Sequence, residues 1–90
     1  MMNRSEILKI ATRCITIERA ATHGSVENNF STIGKIWSAR LGIDISPEQV
    51  SIMLIDLKTV RAWSNPKHFD NWVDMAGYAA CGGEIATTID

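Results

Sequence analysis

A small all-α bundle of four helices, completed by oligomerisation, is the fold this sequence predicts. Three observations carry it. Apolar residues recur at spacings of three and four, helix-start and helix-stop residues divide the chain at short intervals, and no two alternating segments flank a hairpin turn. The 90 residues read as a single domain, 1–90. A chain this short buries only about 60 to 65% of the surface it exposes when unfolded. At about 25 cal/mol per Å² that burial barely offsets conformational entropy. A homo-oligomer is therefore expected, with Trp37 and Met53 among the side chains that contribute to it.

The first helix is expected to be capped by Ser5, to bury Ile7, Leu8, Ala11, Cys14 and Ile15, and to end near Ala21. Thr22-His23-Gly24-Ser25 combines a breaker with a capping residue, so the second helix should begin at Val26. Its apolar face holds Phe30, Ile33, Ile36, Trp37 and Leu41, and Gly42 supplies a left-handed stop. Ser46-Pro47-Glu48-Gln49 is the clearest local signal. Serine at the N-cap, proline first in the helix and glutamine third complete a capping box, with Ile45 and Val50 at the staple positions. Ser64-Asn65-Pro66 ends this third helix, because the residue before proline is pushed out of helical geometry. The last helix starts near Phe69 or Asp70, offers Trp72, Val73, Ala76, Ala79 and Ala80 for burial, and is expected to close at Gly82-Gly83. Residues 84–90 then form a short extended or frayed tail.

Composition removes several function classes. Hydrophobic residues at 46% and charged residues at 21% are ordinary for a globular chain, and a net charge of -1 provides no basic field for nucleic acid. No signal-peptide core and no run of about 20 apolar residues appears, so a cytoplasmic protein with no membrane partner is expected. Cys14 and Cys81 are too few for a zinc ribbon or a disulfide framework, and read as reduced buried thiols. Gly-rich phosphate loops, G-x-S-x-G and zinc-ligand spacings are absent from the sequence.

Chemistry concentrates in the last two helices. At about 100° per residue, Arg61 falls within roughly 20 to 40° of Val50, Leu54 and Leu57, placing a cation on the apolar face. Such a charge either pairs with Asp74 or Asp70, or joins Lys58 in clamping a phosphate or carboxylate. Lys58 alone, flanking the apolar face, is more often a snorkelling surface lysine. Asp70 and Asp74 share one helical stripe with Gly77 and Cys81. Asp70 suits an N-cap, whereas Asp74 lies a turn too deep and needs Arg61, Lys58 or a divalent metal. Glu18 and Glu27 are further candidate acids, although a solvated or helix-dipole role suits either. His23 reads as an exposed loop residue or as a donor to a ligand beside Glu27. Trp63, Trp72 and Tyr78 serve either the core or a stacking platform for a base.

The stretches HGSVENNFSTIGKIWSARLG and SPEQVSIMLIDLKTVRAWSNPKHFDNWVDMAGYAACGGEI resemble a family of small phage and prophage proteins known only as a domain of unknown function. The likeness covers roughly residues 18 to 85 and implies viral origin more firmly than function. A looser resemblance is to the MazG-like all-α nucleoside triphosphate pyrophosphohydrolases, through Asp70, Asp74 and Tyr78 in the pattern D-x-x-x-D-x-x-x-Y and through Glu27. In that family carboxylates on two neighbouring helices hold magnesium against a triphosphate, basic residues bind phosphate, and chains form dimers or tetramers. Its first acidic pair is E-x-x-E, whereas Glu27-Asn28-Asn29-Phe30 keeps one acid, and the second pair is re-spaced.

These readings converge on a pocket between the last two helices that takes a phosphorylated small molecule. The resemblance implies Glu27, Asp70 and Asp74 as catalytic, Mg2+-holding acids. His23, Lys58, Arg61, Trp72 and Tyr78 are the expected ligand-binding residues. The non-enzymatic alternative is an anti-defence protein that sequesters a host nucleotide signal or binds a host defence protein.

Overall fold

The computed structural model describes residues 1–15 and 25–88, and for residues 26 and 27 the backbone alone. Four helices and no strand occur among these residues: α1 (Arg4–Arg13), α2 (Val26–Leu41), α3 (Pro47–Ser64) and α4 (Phe69–Thr87). Ser25 caps α2 by accepting from Asn28 N, and Gly42 ends it at φ 72°, the left-handed conformation in which a Cβ is crowded. At α3, Ser46 Oγ accepts from Gln49 N while Gln49 Oε1 accepts from Ser46 N, closing both halves of the capping box. Asn65 (φ -141°) terminates α3 before Pro66.

Three local expectations are corrected. Asn3, rather than Ser5, caps α1: its Oδ1 accepts from Glu6 N at 2.8 Å, so the helix starts a residue before Ser5. Asparagine is as good an N-cap as serine, and sequence alone does not rank the two sites. The expected end of α1 near Ala21 lies outside the described residues. Gly82-Gly83 does not close the last helix, and the stretch expected to be extended is helical through Thr87, with Thr87 Oγ1 donating back to Gly83 O at 2.7 Å. Gly82 is a packing residue. Ser51 Oγ donates to the Tyr78 carbonyl, and a Cβ on Gly82 would stand 2.7 Å from Ser51 Cβ.

α3 and α4 form the central pair. Lys58 faces Asp74 and, seven residues earlier, Ser51 faces Tyr78 and Gly82, so the two helices run antiparallel across a short turn. α1 packs on α4, where Ile15 approaches Gly77. α2 covers only the start of α3: Gly34 lies against Ile45 and Val50, and Phe30 meets Tyr78 with ring centroids 6.3 Å apart. Ser38 ties the connector down, donating to Gly34 O (2.6 Å) and accepting from Ile45 N (2.8 Å).

The buried apolar residues among those described are few: Ala11, Phe30, Val50, Ala62 and Val73. Cys14 and Cys81 are half-buried, outside any disulfide, and line one narrow gap beside Tyr78. No helix among the described residues is long and apolar enough to cross a membrane.

Candidate functional site

The stripe of α3 that turns toward α4 holds buried Ser51 and Ala62 and half-buried Ile55 and Lys58. Arg61 lies roughly 80 to 100° away from that stripe. It would face α2 if α2 ran the length of α3, but α2 stops at the first turns. Arg61 is therefore exposed rather than on a buried face, and no carboxylate among the described residues lies within salt-bridge distance of it. The ion pair expected for Arg61 belongs to Lys58. Its Nζ stands 2.7 Å from Asp74 Oδ2, with the lysine side chain 13% exposed and the aspartate 36%.

Both residues open onto a cleft of about 430 Å³ between the last turns of α3 and the first turns of α4. Arg61, His68, Asp70 and Asn71 line it as well, and its volume lies in the range of small-molecule sites. Asp70 is not the N-cap expected of it. His68 occupies that position without a side-chain hydrogen bond, and Asp70 follows two residues later, in the first turn. His68 Nε2 and Asp70 Oδ2 are 4.0 Å apart on the surface, a contact of little energetic weight.

Asn71 is the residue that sequence reasoning missed. Only 5% of the residue is exposed and it lines the cleft; its carboxamide makes no hydrogen bond among the described residues and is not sealed from solvent, so what it presents to the cleft is an amide open to a ligand or water. The signal that points to it is its place three residues before Asp74, about one helical turn earlier on the same side of the helix.

Of the residues expected in one site, the cleft gathers Lys58, Arg61, Asp70 and Asp74. It does not gather Trp72, whose indole N–H donates to Pro66 O at 2.9 Å beside a different hollow, nor Tyr78, which is half-buried against Phe30. His23 and Glu18 lie outside the described residues, and Glu27 sits in the first turn of α2. Asp70 and Asp74 are the two carboxylates at the cleft, the Lys58 ammonium already neutralises Asp74, and no group of three His, Cys, Asp or Glu comes together among the described residues.

The cleft can thus offer one uncommitted guanidinium, one uncommitted carboxylate, one buried amide and the first-turn N–H groups of α4. The profile of a domain of unknown function, DUF6378, matches residues 6–86. The chain is similar to the Gene 55 protein of Mycobacterium phage L5, with 39% identity over 74 residues, 81% of this chain and 47% of that protein. It is also similar to the Gene 55 protein of Mycobacterium phage D29, with 37% identity over 75 residues, 83% of this chain and 50% of that protein. The chain spans about half the length of these curated relatives. No solved structure matches it. Matched by that profile over most of its length and related to two phage proteins over more than four-fifths of it, the chain belongs to the DUF6378 family, a small phage family of unknown function.

Proposed function

We propose that the cleft between α3 and α4 binds a phosphorylated small molecule of the nucleotide class. The observation that carries this reading is Arg61, a cation at the cleft with no carboxylate partner among the described residues, beside the unpartnered amide of Asn71. Guanidinium groups match phosphate oxygens in pairs. The N-terminus of α4, which has no side-chain cap, adds free N–H groups and the positive end of a helix dipole. Asp70 repels phosphate but accepts from hydroxyl groups, and a carboxamide pairs with the donor and acceptor edge of a base. Phosphate, hydroxyls and a polar edge occur together in a nucleotide. Lys58, held by Asp74, forms the wall of the site and contributes little free charge.

The non-enzymatic form of this reading is a phage protein that sequesters a nucleotide signal of its host. It needs affinity alone, and it suits a cleft in which one of the two carboxylates is already paired with Lys58. Thermal-shift screening of a nucleotide panel with EDTA present tests it: a rise in melting temperature that Arg61→Met abolishes supports the reading, and no rise for any nucleotide removes it. The enzymatic form, a MazG-like pyrophosphohydrolase drawing on Glu27, Asp70 and Asp74 with Mg2+, predicts pyrophosphate release from a nucleoside triphosphate above that of an Asp74→Ala control.

A further inference from the structure

α3 is apolar on two opposite faces. Val50, Leu54, Ile55 and Ala62 turn toward α2 and α4, while Ile52 (57% exposed), Met53 (40%), Leu57 (46%), Val60 (67%) and Trp63 (89%) face solvent. The solvent-facing set spans about 140° of the helix. Asp56 is the one charge within that arc. A wide apolar face on a helix is normally covered. The five outward side chains present on the order of 700 Å², close to the roughly 800 Å² that each partner contributes to a standard interface.

The same face carries a protrusion and a recess. Trp63 projects from the rim of an open apolar hollow of about 430 Å³, forming one wall of it together with Thr59, Ala62, Pro66, Trp72 and Met75. The Trp72 ring in its wall is fixed by the hydrogen bond from its indole N–H to Pro66 O. A two-fold contact requires one patch to serve as both donor and receiver of the fit. A tryptophan that walls an apolar hollow and is itself 89% exposed can both cover and be covered by its counterpart, which meets that requirement. A net charge of -1 gives two copies little mutual repulsion.

We infer that the outer face of α3 is a self-association surface, and that the occupant is a second copy of this chain. Trp63 of each copy enters the hollow beside Trp72 of the other, and Met53, Leu57 and Val60 close around the two-fold axis. Buried tryptophans at the centre of such contacts are the residues whose truncation costs most. Val60 borders both this surface and the cleft, whereas Trp63 and Leu57 do not line the cleft, so substitutions at those two test the contact with the cleft's lining left in place.

Sedimentation equilibrium between 1 and 100 µM, with circular dichroism on the same samples, tests the inference. The wild type should approach twice the 10.0 kDa chain mass at the upper concentrations. Trp63→Ala should raise the dimer dissociation constant about 30-fold or more. Leu57→Glu should give a single chain, and both variants should keep wild-type helicity because each side chain projects outward. A wild type that stays a single chain at 100 µM overturns the proposal and assigns the face to another partner. A dimer whose dissociation constant neither variant changes overturns it too, since the contact then lies elsewhere on the molecule.

Discussion

Arg61 and Lys58 stand three residues apart on one helix and have different fates. Lys58 is nearly buried and bound to Asp74, so Lys58→Met should cost about 1 to 3 kcal/mol in chemical denaturation, and Asp74→Leu added to it should restore much of the loss. Arg61 projects from the surface of the free protein, so Arg61→Met should change stability by no more than about 0.5 kcal/mol. Asn71→Leu should change the stability of the free protein by no more than about 1 kcal/mol, because its amide makes no hydrogen bond within the described residues that would be lost, while abolishing ligand-induced stabilisation. A marked stability loss from that substitution would mean the amide is structural. The residues of the cleft were legible as a set of charges on two neighbouring helices. Their pairing was not, because a helical wheel gives angles relative to an assumed apolar face, and Val50 and Leu57 set that face toward a neighbour that covers only part of α3.

At the scale of elements, starts and stops were legible wherever the signal was local. Ser46-Pro47-Glu48-Gln49, Ser25 and Gly42 each act through atoms within four residues of themselves. Gly82-Gly83 misled because its role depends on Ser51, some thirty residues earlier. The two glycines therefore respond oppositely to one substitution. Gly82→Ala should destabilise by about 1 to 3 kcal/mol, since its methyl group meets Ser51. Gly83→Ala has open space around it within a helix and should stabilise by roughly 0.5 to 1 kcal/mol. Thermal melts of the two single variants decide the matter, and equal shifts of the same sign would contradict the packing role given to Gly82. The S-P-E-Q cap offers a control of ordinary size: Ser46→Ala should cost about 1 kcal/mol.

At the scale of the whole molecule, the all-α class followed from periodicity, and the limited core followed from length. Which apolar residues remain uncovered did not follow, because every face of α3 carries side chains that a core would accept. The α3–α4 hairpin separates two surfaces: a polar cleft holding Arg61 and Asn71, and an apolar face led by Trp63. The polar cleft is the centre of the functional account, and calorimetric titration of wild type and Arg61→Met with nucleoside mono- and triphosphates in EDTA tests it most directly. The account predicts measurable binding by the wild type, weakened tenfold or more in Arg61→Met, the loss of a charge-assisted phosphate contact of about 1.4 kcal/mol or more. Affinity that is unchanged by the substitution, or no binding of any nucleotide by the wild type, would contradict it.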